Sequence, residues 1–214
     1  MRAVNLVEAL EALVVEHDRI GSPLRERLRP GPSAEGIEAV ARRLGLALPS
    51  EVLELFSWRD IVDIPGETSR ITWFWPSAPL RLDEVTETYR RSVDIGGISA
   101  EELERVELEP YSTFTGFWRT DWLPILYADP EYYAAECRPE INGPGRAPVW
   151  RVCWHPDDSF QTALVAPSLA AFVGRIVDLF RAGAYAWSIE AQDVVTVDAV
   201  FERLGLGRNY RPWP

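Results

Sequence analysis

Carboxylates and tyrosines are concentrated in one stretch of the chain, which reads DWLPILYADPEYYAAECRPE over residues 121–140. Paired carboxylates beside aromatic rings can form a glycoside-cleaving site, a metal site or a surface that binds another protein. The candidate site residues of this stretch are Asp129, Glu131, Tyr132, Tyr133 and Glu136. Residue types alone leave all three kinds of site open, so the elements that position these side chains have to be predicted.

A glycosidase active site needs two carboxylates that face each other across a cleft. Glu131 and Glu136 fall at opposite parity on a predicted strand, so we expect their side chains on opposite faces of the sheet. We therefore expect no catalytic residues and no enzyme. A small hydrolase that uses the carboxylates of residues 129–140 is the alternative.

Two further residue sets carry groups that could do chemistry. Cys137 with His155 and Asp129 would make a cysteine hydrolase, but no local nucleophile signature surrounds Cys137, and a buried, inert thiol is the better interpretation. The turn His155-Pro156-Asp157-Asp158 has three potential ligands. A zinc site needs more nitrogen or sulfur donors than one histidine supplies. We expect no metal and no cofactor.

The charge balance indicates which class of partner this chain binds. It has 33 acidic and 22 basic residues, and its formal net charge is -11. Affinity for nucleic acid comes largely from neutralising phosphates, so this balance argues against general binding of DNA or RNA. A surface field of one sign speeds encounter with the opposite sign, so we expect a basic protein partner.

The N-terminal segment and the cysteines indicate a compartment. Glu8, Glu11 and Glu16 interrupt the apolar N-terminal stretch, whereas a signal peptide has an uninterrupted apolar centre. No apolar run is long enough to span a membrane. Two cysteines, Cys137 and Cys153, lack the density of a disulfide framework. We expect a cytoplasmic protein with no membrane contact and with both thiols unbridged.

Apolar residues at helical spacing predict helices over about residues 2–20, 33–44, 82–91 and 167–183. In the first of these helices His17 lies on the apolar stripe, where a packed core histidine is expected. Residues 21–33, with three prolines and two glycines, predict a loop. In the last helix Ser168 is the predicted N-cap and Gly183 the stop.

Runs of aromatic and β-branched residues predict a central sheet that includes residues 70–76, 121–128, 132–138 and 148–154. Strands between helices predict an α+β fold, a single layered domain with a central, mostly antiparallel sheet flanked by helices. We expect residues 1–187 to form this domain, with its N-terminal helix, and residues 188–214 to form a C-terminal helical extension and tail.

The chain has nine tryptophans. Those in predicted strands are expected in the core: Trp73, Trp75, Trp150 and Trp154. Those near breaks in the predicted elements are expected at contact surfaces, where exposed aromatic residues are common: Trp58, Trp118 and Trp213.

Three short motifs follow one another along the chain. They are Leu44-Gly45-Leu46-Ala47-Leu48-Pro49 after a helix, Trp122-Leu123-Pro124-Ile125 in a strand, and the turn Gly143-Pro144-Gly145 before VWRVCW. In order and spacing, residues 33–185 resemble the SUKH superfamily, whose founding members are fungal cell-wall-assembly regulators. The resemblance implies a non-enzymatic recognition domain. Bacterial members are mostly immunity proteins that bind and block toxins, many of them nucleases.

The sequence departs from the family pattern at two places where family members bind partners. It reads Ser57-Trp58-Arg59-Asp60 where an Asn-Gly pair is usual, and Asp129-Pro130-Glu131 where a Gly-Asp turn often follows. We therefore expect the partner-binding residues to be Asp129, Glu131, Tyr132, Tyr133, Glu136, Trp58, Arg59 and Asp60. The expected function is immunity by occlusion of a basic toxin, and a regulatory scaffold with an endogenous partner is the alternative.

Overall fold

The structure is a computed structural model that describes residues 5–61, 72, 74, 77–98, 114–115, 118–128, 131–154 and 160–205. The described helices are α1 (Leu6–Arg19), α2 (Leu24–Arg27), α3 (Ala34–Leu44), α4 (Ser50–Trp58), α5 (Leu82–Gly96), α6 (Pro139–Asn142), α7 (Leu169–Arg181) and α8 (Asp198–Arg203). None of them is long and apolar enough to cross a membrane.

The described strands are β1 (Leu28–Pro30), β2 (Arg59–Ile61), β3 (Ala78–Pro79), β4 (Gly97–Ile98), β5 (Phe114–Thr115), β6 (Trp118–Arg119), β7 (Trp122–Ala128), β8 (Glu131–Glu136), β9 (Val149–Trp154), β10 (Phe160–Ala166), β11 (Tyr185–Ser188) and β12 (Asp193–Thr196). Six of them form an antiparallel sheet in the order β3-β7-β8-β9-β10-β5. The fold is α+β, as the sequence predicts.

Three of the four predicted sheet segments are confirmed, because residues 121–128, 132–138 and 148–154 match β7, β8 and β9 to within two residues at each end. Of residues 70–76, the structure describes only Thr72 and Phe74, and Phe74 forms an isolated bridge with Ser77. The described edge of the sheet on that side is β3. Strand β10 was not predicted. Its sequence, FQTALVA, has neither a long β-branched run nor strict alternation.

The two faces of the sheet pack differently. Leu123, Tyr133 and Val149 point into the main hydrophobic core, which also contains the buried sides of α1, α4 and α7. The opposite face carries Trp122, Tyr127, Tyr132 and Trp150, and we call it the aromatic face. Trp118 and Val93 pack against it. Successive side chains on a strand alternate between these two faces.

The amphipathic helices lie where the periodicity predicts. Leu6, Leu10 and Leu13 of α1 are buried against α7, and His17 is fully buried, with its Nδ1 atom 3.1 Å from Ser22 Oγ. The core prediction for His17 is therefore confirmed. Helix α7 begins after Ser168, whose side chain accepts a hydrogen bond from the Ala171 backbone nitrogen.

The predicted loop over residues 21–33 is wrong for its central part, residues 24–30. This segment contains α2 and β1, and β1 pairs antiparallel with β2. Pairing with a strand about 30 residues away supplies the hydrogen bonds that local sequence cannot, so the prolines and glycines misled the prediction. Gly31 then brings β1 against the end of α4, where a Cβ atom would lie 2.4 Å from the Phe56 backbone oxygen.

The tryptophan predictions hold only in part. Trp150 packs on the aromatic face, as expected. Trp118 is wrong as a contact residue, because its side chain is fully buried and lies edge-on to Trp122, with 6.1 Å between the ring centroids. The side chains of Trp73, Trp75, Trp154 and Trp213 lie outside the described residues.

The C-terminal segment adds the β11–β12 hairpin and α8, close to the predicted helix of the extension. Val194 and Phe201 of this segment belong to the main core, and the Phe201 ring centroid is 5.6 Å from that of Tyr185. The domain boundary between residues 187 and 188 stays a prediction.

Candidate partner-binding surface

A cleft of about 230 Å³ opens between α1, the α2–β1 segment and the junction of α4 with β2. Three arginines, one carboxylate, an indole and apolar side chains surround it. We call it the arginine cleft, and its lining is Glu11, Val14, Arg25, Leu28, Arg29, Pro30, Trp58 and Arg59. Two of the predicted contact residues, Trp58 and Arg59, are therefore placed at a concave surface.

The β1–β2 ladder positions the arginines of the cleft. Pro30 pairs with Arg59 and Arg29 pairs with Asp60 across the two strands. The close approach of Gly31 to the end of α4 holds this ladder beside Trp58. Residues that are distant in sequence therefore line one cleft because of a backbone contact that only glycine permits without displacement.

Trp58 is anchored at the floor of the arginine cleft. Its indole nitrogen donates a hydrogen bond to Glu11 Oε1 at 2.9 Å, and its ring packs partly against the main core. The Arg59 guanidinium carbon lies 5.9 Å from the centroid of the Trp58 ring, within cation–π range. Trp58 is thus half-buried and held in one orientation, as an anchor at a protein contact should be.

The three guanidinium groups of the cleft differ in their partners. Arg25 forms an ion pair with Asp18 and donates a hydrogen bond to its carboxylate. This hydrogen bond raises the pKa of Arg25 above its usual value. Arg29 and Arg59 donate only to backbone oxygens, and neither makes an ion pair with a carboxylate of the described residues.

Asp60 does not belong to the lining of the arginine cleft. It lines a second, smaller cavity of about 30 Å³ together with Arg59, Pro79 and Ile125, among others. Pro79 belongs to the edge strand β3, whose other residue, Ala78, pairs with Tyr127 of β7. The edge strand β3 therefore lies between Asp60 and the hairpin of β7 and β8.

The end of the β7–β8 hairpin contains the exposed part of the predicted tyrosine surface. Tyr132 is half-buried, and its ring centroid lies 5.0 Å from that of its cross-strand partner Tyr127, which is 39% exposed. Glu131 is half-buried at the same end of β8. Asp129 lies outside the described residues.

Tyr133 and Glu136 are placed in the interior. Tyr133 is 3% exposed on the core face of the sheet, where its ring centroid lies 5.4 Å from that of Phe172. Tyr132 points to the opposite face, so the two tyrosines do not form one surface. Parity in a strand predicts this separation, but the sequence does not show which of the two rings a helix covers.

Glu136 belongs to a buried ionic cluster. One carboxylate oxygen lies 3.2 Å from Arg119 Nη2, and the other accepts a hydrogen bond from Trp150 Nε1 at 2.8 Å. Arg119 also pairs with Asp121, and Arg138 Nε lies 3.5 Å from Asp121. Both oxygens of the Glu136 carboxylate thus have partners inside the protein, and Glu136, like Tyr133, is an interior residue.

The geometry gives little support to the catalytic alternatives. Glu131 and Glu136 point to opposite faces of β8, and Glu140 is exposed beside Arg138. Burial, and then the charge of Asp121, raise the pKa of the Cys137 thiol, whereas a nucleophilic cysteine needs a lowered pKa. Cys137 and Cys153 are both free and buried, as predicted. His155 lies outside the described residues.

Metal ligands are not gathered within the described part of the chain, where no group of three or more histidine, cysteine, aspartate or glutamate side chains could hold an ion.

The remaining shifted pKa values belong to groups outside the arginine cleft. Burial is the first cause of the raised pKa of Tyr89, Tyr185 and Glu54.

Sequence reasoning missed Glu11, Arg25 and Arg29 as site residues. The available signal is the density of arginine in LRERLRP, where three of seven residues are basic in a chain of negative net charge. Tyr127 was missed as well. A hairpin in which Ala128 pairs with Glu131 places Tyr127 opposite Tyr132, and this is the observed register.

No curated protein gives a significant match to the sequence. A family model described as the SMI1 / KNR4 family (SUKH-1) matches residues 31–175. The matched range includes α3, α4 and the central strands β7, β8 and β9, and so it contains the three motifs of the sequence. The match covers more than half of the 214 residues, and the chain therefore belongs to the SMI1 / KNR4 (SUKH-1) family.

Proposed function

We propose that this chain is a non-enzymatic immunity protein that neutralises a toxin by binding and occluding it. Members of its family are generally non-catalytic immunity or regulatory proteins. The observation that carries the proposal is the pair Trp58 and Arg59 at the open arginine cleft. Tryptophan and arginine are enriched among the residues that dominate the energy of protein contacts.

The proposed contact surface extends from the arginine cleft across the edge strand β3 to the end of the β7–β8 hairpin. Its residues are Trp58, Arg59, Asp60, Tyr127, Asp129, Glu131 and Tyr132. Tyrosine supplies contact area at a small cost in conformational entropy, and the carboxylates supply a negative field. This combination suits a partner that is basic over most of its surface.

The net charge of -11 supports a basic toxin, with a nuclease as the preferred class. A nuclease is basic where it holds the phosphates of its substrate. An acidic inhibitor is steered towards such a site and competes with the substrate for the same field. We also propose a cytoplasmic location, which the two free, buried thiols support.

The test is a search of the genes beside this one for a toxin domain, followed by co-expression of this chain with the toxin domain found there. We expect growth to be restored and the two proteins to elute together from a size-exclusion column. The variant Trp58→Ala should lose protection, whereas Arg43→Ala, an exposed change on α3, should retain it. Binding to a host protein without any protection would contradict immunity and favour the regulatory scaffold.

A further inference from the structure

We propose that the arginine cleft binds a carboxylate group carried on an apolar stem. This ligand class goes beyond the proposed immunity function and concerns the free protein. It rests on the composition of the lining, in which Arg25, Arg29 and Arg59 surround apolar side chains and an indole in a cleft of about 230 Å³.

The arginines retain hydrogen-bond donors for a ligand. Arg29 Nη1 donates to the backbone oxygens of Glu26 and Leu28, at 3.2 and 3.0 Å, and Arg59 Nη1 lies 3.4 Å from the Trp58 oxygen. A guanidinium group carries five N–H donors, so most of them stay available on both residues. Its planar fork matches the two oxygens of a carboxylate.

The apolar part of the lining indicates what the carboxylate is attached to. Val14, Leu28 and Pro30 line the same cleft as the arginines, beside the ring of Trp58. Ligand sites combine such apolar walls with a few polar groups that fix orientation. A volume of about 230 Å³ also exceeds what a small inorganic ion fills, since one water molecule takes about 30 Å³ in the liquid.

Glu11 opposes anion binding and thereby provides a test. Its carboxylate lies in the lining and accepts the hydrogen bond of the Trp58 indole. Replacing it by glutamine keeps an acceptor oxygen for the indole and removes the negative charge. If the cleft binds carboxylates, Glu11→Gln should therefore tighten binding, and a gain of affinity cannot result from misfolding.

Two sources can present this chemistry: a free dicarboxylate and an acidic side chain of a polypeptide. The probes are glutarate, the peptide acetyl-Ala-Glu-Ala-amide and inorganic phosphate, titrated at low ionic strength because salt screens exposed charges. The readout is the NMR signal of the Trp58 indole N–H, which is identified by its loss in Trp58→Phe.

We expect glutarate and the peptide to shift this signal with millimolar dissociation constants, and phosphate to bind at least about threefold more weakly because it buries no apolar surface. Tighter binding of the peptide than of glutarate assigns the site to a polypeptide side chain, and the reverse order assigns it to a small molecule. Equal binding of phosphate would overturn the requirement for an apolar stem.

The variants complete the test. The double variant Arg29→Ala/Arg59→Ala should weaken glutarate binding at least about tenfold, because two charged hydrogen-bond donors are lost. The matched control is Arg43→Ala/Arg203→Ala, which removes two exposed arginines elsewhere and should bind as the wild type does. Glu11→Gln should bind roughly threefold more tightly, as expected for removal of one nearby like charge in a solvated cleft.

Either of two results would overturn the proposal. One is that no probe shifts the Trp58 signal, and the other is that the arginine variant binds glutarate as tightly as its matched control. Thermal midpoints of all variants confirm that folded protein is being compared.

Discussion

The carboxylate of Glu51, in the first turn of α4, accepts a hydrogen bond from the backbone nitrogen of Ala147 at 2.8 Å. The same carboxylate accepts hydrogen bonds from the first backbone nitrogens of α7, at Leu169 and Ala170. The backbone nitrogens of Ser50 and Glu51 in turn donate to the oxygens of Pro144 and Gly145. The Leu-Pro turn, the Gly-Pro-Gly turn and the start of α7 are thus joined at one side chain.

Replacing Glu51 by alanine should destabilise this junction. Three backbone donors lose a charged acceptor, so we expect the free energy of unfolding to fall by about 3 kcal/mol, and by less in Glu51→Gln, which keeps an acceptor oxygen. Urea unfolding measures the change. The control is Glu35→Ala in the first turn of α3, which should cost at most about 1 kcal/mol through the helix dipole. Equal losses in the two alanine variants would contradict the junction.

Removing Arg119 should be strongly destabilising. Its side chain neutralises Glu136 and Asp121 inside the protein, and its guanidinium carbon lies 5.3 Å from the Trp122 ring centroid. Among the described residues, loss of Arg119 leaves the buried Glu136 carboxylate without a cation and leaves Asp121 with Arg138 alone, so Arg119→Met should cost about 3–5 kcal/mol. Arg42→Met removes an exposed pair with Glu38 and should cost less than about 1 kcal/mol. Chemical denaturation of both variants compares the two costs.

Glu54→Gln should stabilise the protein in a pH-dependent way. Burial, and then the charge of Glu51, raise the pKa of Glu54 in the folded state. The ionised form is therefore less favourable in the folded than in the unfolded chain, and this cost is present above the folded pKa. It disappears as the pH falls below the unfolded pKa, where both states are protonated. We expect the thermal midpoint of Glu54→Gln to be higher than that of the wild type at pH 7. At pH values below about 4 we expect no difference between the two proteins.

The two thiols should be inert in the folded protein. Cys137 and Cys153 are buried and free, and burial raises the pKa of Cys137, so the reactive thiolate is scarce. A chromogenic disulfide reagent should report no rapid reaction in buffer and two thiols in the denatured, unreduced protein. Rapid native reaction would contradict the burial, and the absence of thiols after denaturation would contradict the free state of both cysteines.

Substitutions of charged residues and of anchor residues on the proposed surface should change different rate constants of toxin binding. Trp58→Ala removes a half-buried anchor and should mainly speed dissociation, costing about 2 kcal/mol of binding free energy or more. Glu131→Gln should mainly slow association and flatten its dependence on salt, because exposed charges act through a screened field. Stopped-flow measurements at two salt concentrations separate the two rate constants. Tyr133→Phe, a change in the interior, is the control and should leave both unchanged.

The structure places some of the side chains predicted for the partner surface at exposed positions and others in the interior, and the partner contact itself stays a prediction. Trp58 and Arg59 do lie at a cleft, and Tyr132 does face Tyr127 at a hairpin end. Tyr133 and Glu136 are of the same residue types as Tyr132 and Glu131 and lie in the same strand, yet both are interior. Composition cannot separate these cases, because a tyrosine or a carboxylate is equally compatible with an exposed contact and with a buried partner such as Arg119.

The sequence by itself determined several of the long elements and the family. Helical spacing placed α1, α3 and α7, aromatic and β-branched runs placed β7, β8 and β9, and three motifs in order indicated the SUKH relationship that the family match confirms. These are local signals, since periodicity, caps and turns depend on residues within a few positions of one another.

Only the tertiary structure decided which side chains meet and which are covered. The arginine cleft exists because β1 pairs with β2, some 30 residues further along the chain, and because Gly31 allows that ladder to approach α4. Likewise, α7 covers Tyr133 and leaves Tyr132 on the opposite face. Contacts of this kind are long-range, and no local pattern encodes them, because a side chain's exposure depends on what the rest of the chain packs against it.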